Sequence, residues 1–176
     1  MYYFFIIFLT NFIFCNSWTI DTTYSFINYE GSHPFHTWNG KTNNIDFNIN
    51  CKKEECQMSV STKLESFDSN NDSRDSNMLY YTESLLFPFV EIKTEYFKFN
   101  GQFNQTISTI GKLTFHGISI DLPLNIKLIE ENEDYWGECH FDIKLTEFKV
   151  ERPILLMMKI SDTIKISTKL KLIRNE

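Results

Sequence analysis

The chain has 176 residues and a net charge of −6, from 17 Lys and Arg against 23 Asp and Glu. This length fits one domain with a substantial hydrophobic core. An acidic chain without a basic cluster is a poor binder of nucleic acid, so we expect no nucleic-acid partner.

The chain begins with an uncharged apolar run, MYYFFIIFLTNFIFC, and its first charged side chain is Asp21. Such a run, followed by small residues, predicts a secretory signal over residues 1–17 that is cleaved after Ser17. The run is short for a membrane span, and the alternatives are an uncleaved anchor or a lipid-modified Cys15. Cleavage would leave a domain of residues 18–176 in the periplasm or outside the cell, with no stable membrane span.

Apolar and polar residues alternate with a period of two along most of the remaining chain, which predicts β-strands. Eight segments follow this pattern: SFINY, NIDFNINC, MSVSTKL, FVEIKTEYFKF, TISTIGKLTF, DLPLNIKL, CHFDIKL and TIKISTKLKL. The stretch DSRDSNMLYYTESLLFP lacks alternation, opens with capping residues and ends at a proline, which predicts a short helix. We therefore expect an all-β fold, an eight-stranded antiparallel up-and-down barrel with a short helical insertion before strand 4.

Three cysteines follow the predicted signal. Cys51 and Cys56 flank four charged residues in the stretch CKKEEC, which has the form of a hairpin turn between two alternating segments. In an oxidising compartment this arrangement predicts a Cys51–Cys56 disulfide, and two unpaired thiols are the alternative. Cys139 is the odd cysteine, and its strand phase predicts an inward-facing, apolar thiol.

Five short motifs occur in a fixed order along these elements. They are Trp18-x-Ile20-Asp21-x-x-x-Ser25, then H…W-x-G, then Arg74-Asp75, then Phe87-Pro88, and then GKLTFHGISIDLPL. The most specific of them is GKLTFHG, from Gly111 to Gly117. From about Trp18 to Leu172 the chain resembles the YceI-like family. The resemblance implies an exported, lipocalin-like protein that binds a polyisoprenoid.

Strand phase turns one set of large apolar side chains toward the interior of the predicted barrel. An eight-stranded barrel holds either packed side chains or one small ligand, and periodicity alone leaves both open. The resemblance implies a cavity that holds a polyprenyl lipid or an isoprenoid quinone. The predicted lining residues are Ile27, Tyr29, Trp38, Phe47, Ile49, Val60, Phe89, Ile92, Phe97, Phe99, Leu113, Phe115, Phe141, Ile143 and Ile166.

Polar side chains near the strand ends are candidates for contacting the ligand head group, and structural hydrogen bonds are their alternative role. The candidates are Ser25, His33, His36, Arg74 and His116. His33 and His36 are predicted to lie between the first two strands, where an extended chain sends them to opposite faces. A buried diphosphate needs fixed positive charge, and we expect Arg74 to pair with Asp75 or a strand acid. The sequence therefore favours a neutral head group, such as a quinone ring.

Catalytic and metal-binding motifs fit the sequence poorly. It contains no G-x-S-x-G, H-E-x-x-H or glycine-rich phosphate loop. The stretch that begins at Asp68 has acidic and amide residues at the spacing of a calcium loop. Its sixth position is Ser73, where such a loop requires Gly, and its twelfth is Leu79, where the loop requires a bidentate Glu. A zinc site built from Cys139, His140 and a distant histidine is disfavoured because neighbours on a strand point apart. We expect a binding protein rather than an enzyme, with no metal or cofactor. A structural or interaction barrel with a filled core is the alternative, and a homodimer is compatible with either.

Overall fold

The computed structural model describes residues 18–175, so the predicted signal segment 1–17 lies outside the described residues. Antiparallel β-structure dominates, as the alternating pattern predicted. The strands are β1 Trp18–His33, β2 His36–Thr42, β3 Asp46–Lys52, β4 Glu55–Lys63, β5 Phe89–Thr94, β6 Phe97–Lys98, β7 Gln105–Phe115, β8 Ile118–Glu131, β9 Asp134–Lys144, β10 Ile154–Leu155, β11 Met158–Lys159 and β12 Thr163–Arg174.

One sheet of ten strands forms the body of the domain, in the order β2-β1-β12-β9-β8-β7-β5-β4-β3, with β6 pairing to β4. The predicted count of eight strands is therefore wrong. The chain turns within two residues after His33 and continues as β2, so the stretch predicted as a connection is a strand. The predicted fourth strand divides at its phase slip into β5 and β6.

The sheet curls until its two ends approach one another. The segment after a 3₁₀ turn at Leu64–Ser66 runs beside β2, where Lys41 and Asp68 exchange backbone hydrogen bonds of 2.9 and 3.0 Å. At the end of β2, the Thr42 hydroxyl shares a hydrogen bond of 2.8 Å with the hydroxyl of Ser66 in this 3₁₀ turn. No backbone ladder joins β2 to β3 within residues 18–175, so side-chain bonds and this segment cover the seam.

The predicted helical insertion is α1, Asp72–Tyr81, which lies before β5. Its N-cap is Asn71, whose side-chain oxygen accepts a hydrogen bond from the Arg74 backbone nitrogen at 2.9 Å. This bond satisfies one of the amide groups that the first helical turn leaves without a partner. The helix ends where the Thr82 hydroxyl donates to the Met78 backbone oxygen at 2.7 Å.

At the opposite end of the sheet, β3 and β4 form a tight hairpin. Cys51 and Cys56 are register partners across it, and a disulfide joins them with the sulfurs 2.05 Å apart. Cys56 is completely buried, so the bridge ties the hairpin to the apolar interior. The segment that leads to the last strand forms the small β10–β11 hairpin.

Candidate ligand-binding cavity

An apolar cavity of about 580 Å³ runs along the inside of the curled sheet. This volume falls within the range of small-molecule sites in proteins. Alternate residues of nearly every strand face it, because side chains on one face of a strand recur with a period of two. The sheet therefore has a hollow interior rather than one filled entirely by its own side chains.

The residues predicted to face inward line this cavity, with one exception. Those that do are Ile27, Tyr29, Trp38, Phe47, Ile49, Val60, Ile92, Phe97, Phe99, Leu113, Phe115, Phe141, Ile143 and Ile166. The exception is Phe89, whose side chain is half exposed. Its neighbour Val90 lines the cavity together with Ile92, so the alternation of β5 turns Phe89 outward.

Other lining residues were absent from the predicted set. Met58, Leu124, Ile126, Leu128, Cys139, Leu170 and Leu172 also line the cavity. They share the phase of the predicted residues, and that phase was the signal available in the sequence. Met78 and Tyr81 on α1 also contribute, as do Ile154 and Leu155 on β10. For these the strand pattern offered no signal, because they belong to a helix and to a hairpin without alternation.

Aromatic rings close one end of the cavity. The Trp18 ring packs edge-on against Phe103 and Tyr135, with ring centroids 5.4 and 5.5 Å apart, and Phe99 lies beside it at 6.3 Å. Trp18 and Phe99 are both buried. Trp18 and Phe99 line the cavity, and Phe103 and Tyr135 pack behind Trp18, so these rings form the floor.

The cavity opens at the other end, beside α1. The lining residues that are also exposed to solvent all lie there: His36, Asn71, Ser73, Asn77, Glu151, Ile154 and Leu155. They belong to the start of β2, to α1 with its cap, and to the segment that leads into β10. One mouth, bordered by the helix and the β10–β11 hairpin, therefore connects the lumen to solvent.

Two features of the lumen wall bear on what it can hold. A Cβ atom placed on Gly137 would meet only Leu128 and Leu172, both at 3.9 Å, so the wall has spare room at this position. Cys139 is a free, buried thiol, and burial raises its pKa above the ordinary value. A thiol kept in its neutral form is a weak nucleophile, and it behaves as a small apolar group.

The structure separates the five predicted head-group residues. His36 and Arg74 line the mouth, whereas Ser25, His33 and His116 do not line the cavity. The Ser25 hydroxyl oxygen accepts a hydrogen bond from the Lys171 backbone nitrogen at 2.9 Å, which ties β1 to β12.

The two other histidines are held within the protein. His116 contacts the Phe148 backbone oxygen at 2.8 Å and the Glu83 carboxylate at 3.0 Å, one through each ring nitrogen. His33 is buried and its Nε2 lies 3.0 Å from the Leu155 backbone oxygen. The prediction that His33 and His36 point to opposite faces is wrong, because the tight turn makes them register partners across a hairpin.

Arg74 binds the backbone rather than a carboxylate. Its Nη1 donates to the Ser69 backbone oxygen at 3.2 Å. The predicted ion pair with Asp75 or a strand acid is not formed, since no ion pair within 4.0 Å among residues 18–175 involves Arg74. Asp75 instead accepts a hydrogen bond from the Ser69 backbone nitrogen at 3.2 Å.

A small polar cluster lies between the lumen wall and α1. The Tyr29 hydroxyl, the Ser69 hydroxyl and Asp75 Oδ1 are buried, and none has a hydrogen-bond partner among the described residues. Burial raises the pKa of Tyr29 to about 12, with the Asp75 carboxylate adding to the rise and Arg74 and Ser69 opposing it. The phenol therefore stays neutral at physiological pH.

Residues 18–172 match the family model of the YceI-like domain. The chain belongs to the YceI-like family. No curated protein matches this YceI-like chain at a significant level. Within residues 18–175, no group of three or more His, Cys, Asp or Glu side chains is placed to hold a metal ion. No helix in this range is long and apolar enough to cross a membrane.

Solved structures share the fold of this YceI-like chain at low sequence identity. Burkholderia cenocepacia BcnA has a TM-score of 0.72 at 14% identity, covering 88% of this chain and 99% of its own. A polyisoprenoid-binding domain from Saccharophagus degradans has a TM-score of 0.71 at 14% identity, covering 91% and 99%. The Campylobacter jejuni YCEI protein has a TM-score of 0.60 at 18% identity, covering 78% and 84%.

Proposed function

We propose that this YceI-like protein is an exported lipid-binding protein that holds one long isoprenoid chain in its lumen. The observation that carries the proposal is the apolar cavity, which has a floor of aromatic rings and a mouth beside α1. Burial in such a cavity stabilises a hydrocarbon chain by about 0.8 kcal/mol for each CH₂ group. The Saccharophagus degradans domain is described as polyisoprenoid-binding, which supports an isoprenoid as the class of lipid.

We assign the head group to the mouth and expect it to be neutral, as in an isoprenoid quinone. The polar side chains that border the mouth are His36, Asn71, Ser73, Asn77 and Arg74. These groups offer hydrogen bonds to a carbonyl or hydroxyl. Arg74 already donates to a backbone oxygen, and Glu151 stands at the same opening, so a diphosphate would meet little uncompensated positive charge.

Export to the periplasm or the cell exterior is part of the proposal. Disulfides persist in oxidising compartments, and the Cys51–Cys56 bridge is compatible with that location. The apolar N-terminal run supplies a signal. N-terminal sequencing of protein purified from its native host should find Trp18 at or near the start. Membrane-bound material that still begins with Met1 would contradict export as a soluble protein.

Binding without catalysis is the activity that the cavity supports. Its lining is aliphatic and aromatic, and its buried thiol, Cys139, is held neutral by its surroundings. An enzyme acting on the bound chain would need an activated nucleophile or a general base next to the reacting atoms. A structural or interaction barrel is the second candidate, and the hollow interior speaks against the filled core that it requires.

The decisive experiment is organic extraction of the processed protein purified from its native host, followed by mass spectrometry. We expect a prenyl lipid or quinone in near-stoichiometric amount. Gly137→Leu should fill the spare room in the lumen and reduce the amount of lipid recovered, whereas the matched Gly137→Ala should not. Protein that carries no prenyl lipid and binds none from detergent solution would contradict the proposed function.

A further inference from the structure

Large apolar side chains are exposed around the mouth of the cavity. The tip of the β10–β11 hairpin exposes Leu156 and Met157, and Met157 is 97% exposed. The turn between α1 and β5 exposes Leu85 and Leu86, with Leu85 99% exposed. Phe35, at the tip of the β1–β2 hairpin, is also exposed. We call these three segments, residues 80–89, residues 154–157 and Phe35, the mouth rim.

Hydrogen bonds connect the segments of the mouth rim on one end of the molecule. Glu83, within the first segment, contacts His116, whose other ring nitrogen reaches the Phe148 backbone oxygen. Phe148 ends the 3₁₀ turn that leads into β10. On the far side of that hairpin, His33 contacts the Leu155 backbone oxygen and thereby holds the turn that carries Phe35. The exposed apolar side chains therefore surround one opening.

The tip of the β10–β11 hairpin holds two large apolar residues in a backbone conformation that such residues disfavour. Leu156 and Met157 have φ angles of 48° and 66°, in the left-handed region. Turns with this backbone strongly prefer Asn and Gly, because other side chains are strained there. Their exposure means that these two side chains gain little burial in return. Backbone strain that brings no packing benefit points to a role outside the folded domain.

Charge distribution indicates the kind of surface that the mouth rim fits. The rim segment 80–89, together with residues 147–162 that contain and flank the rim hairpin, carries four acidic side chains against three basic ones. They are Glu83, Glu147, Glu151 and Asp162, and Lys149, Arg152 and Lys159. A surface attracted to anionic lipid or nucleic acid carries a basic cluster instead. The other large apolar residues exposed within residues 18–175 are Tyr24 on β1, Tyr96 between β5 and β6, Ile110 on β7 and Ile173 on β12.

We propose that the mouth rim docks on a lipid bilayer by inserting its apolar side chains among the head groups. The cavity mouth then faces the membrane, and a lipid passes between bilayer and lumen without crossing water. The lipid-transfer part of this inference rests on the proposed function, whereas docking itself rests on the exposed rim alone. Insertion driven by apolar contact makes docking independent of anionic lipid and little affected by salt.

Flotation of the processed protein, which begins at Trp18, with vesicles tests the docking, because the apolar run of residues 1–17 would itself carry an uncleaved chain to the vesicles. Vesicles of phosphatidylcholine alone should carry the protein to the top of a density gradient, and adding phosphatidylglycerol should not strengthen binding. The double variant Leu156→Asn, Met157→Gly places preferred residues in the strained turn, so it should retain or raise thermal stability. It should nevertheless lower the vesicle partition coefficient at least about tenfold, because two large apolar side chains no longer insert.

A second variant and a control complete the test. Leu85→Ser with Leu86→Ser should weaken flotation in the same way, whereas Tyr96→Ser, which removes an exposed aromatic residue away from the rim, should not. Wild-type protein that stays at the bottom of the gradient would overturn the proposal. So would rim variants that float normally, or that dissociate a dimer in sedimentation while wild-type protein fails to float.

Extraction and flotation separate the two ideas. Protein that yields isoprenoid on extraction but does not float would overturn membrane docking and leave the proposed function standing. Protein that floats in a rim-dependent way, yet carries and binds no prenyl lipid, would overturn the proposed function and support docking.

Discussion

His33 and His36 face one another across the first hairpin, with their ring centroids 5.6 Å apart. One of the pair is buried against the backbone of β10, and the other borders the mouth of the cavity. The two histidines of the hairpin therefore lie in different surroundings. His33 contacts the Leu155 backbone oxygen of the β10–β11 hairpin, and His36 lines the opening, where we propose that its ring hydrogen-bonds the ligand.

Filling the lumen should displace its ligand. Phe47→Trp and Phe115→Trp enlarge side chains that line the cavity, so each should lower the amount of prenyl lipid retained by the purified protein. Phe26→Trp is the matched control, because Phe26 does not line the cavity and its ring lies 4.1 Å from the Lys41 ammonium on the outside of the sheet. Lipid content is measured by extraction and mass spectrometry, and melting temperature checks the fold. Equal lipid content in all three variants would place the ligand elsewhere.

The disulfide should make a modest contribution to stability. It closes a loop between residues only five apart in sequence, so the chain-entropy model gives no more than about 2 kcal/mol. Cys51→Ser should lower the free energy of unfolding by about that amount, measured by denaturant titration. Dithiothreitol should produce a similar loss in wild-type protein and no further loss in the variant. Alkylation of both cysteines in exported protein without prior reduction would show that the bridge is absent there.

The Tyr29 hydroxyl should be dispensable for stability at neutral pH. Its oxygen is buried, and the neighbouring Ser69 hydroxyl offsets only part of the rise in its pKa, so Tyr29→Phe removes a polar group that gains little from burial. We expect the free energy of unfolding at pH 7 to stay the same or rise by up to about 1 kcal/mol. A loss of more than that would show that the hydroxyl binds a group within the folded protein.

The raised pKa of the Tyr29 phenol should make the stability of the protein depend on pH in the alkaline range. The pKa of Tyr29 rises from 10.0 to about 12 in the folded protein, so between these values the unfolded chain loses the proton first. Stability therefore falls as pH rises through this window, by up to about 1.4 kcal/mol for each pH unit. Tyr29→Phe should show a shallower decline between pH 10 and 12. Parallel stability profiles for the two proteins would contradict the assignment.

Arg74 should matter more for stability than for affinity. Its guanidinium fastens the start of α1 to the Ser69 backbone oxygen, so Arg74→Ala should destabilise the protein by about 1–2 kcal/mol. Quinone affinity should change little, while Arg74→Lys should recover part of the stability. Thermal melts and quinone titrations measure the two effects. A large loss of affinity for a prenyl diphosphate at unchanged melting temperature would reverse the assignment of the head group.

The sequence predicted most of the lumen because strands and side chains share one period. Phe47, Val60 and Phe141 were placed inside by simple alternation, and they line the cavity. Phe89 was misplaced because the stretch FPFV puts apolar residues on both phases of the strand, so the pattern could not tell which side faced inward. The residues of α1 that reach the lumen follow no strand period at all.

The hairpins that surround the mouth were harder to predict. The turn at Pro34 and Phe35 lacks the Asn-Gly type of signal, so β2 was interpreted as a connection. His33 and His36 were therefore predicted on opposite faces, whereas they are partners across the hairpin. The β10–β11 hairpin turns at Leu156 and Met157, residues that turn rules assign to strands or cores. Both failures occur where local preference and the folded backbone disagree.

The aromatic floor around Trp18 should limit the length of isoprenoid chain that the lumen can hold. A guest that enters through a single opening must advance tail first, and its leading end stops at these rings. Shorter chains leave part of the tunnel wall uncovered, so affinity should climb with each added isoprene unit. Once the tail reaches the floor, further units protrude from the mouth and contribute nothing. Affinity plotted against chain length should therefore rise and then level off, and the position of the plateau reports the depth of the tunnel.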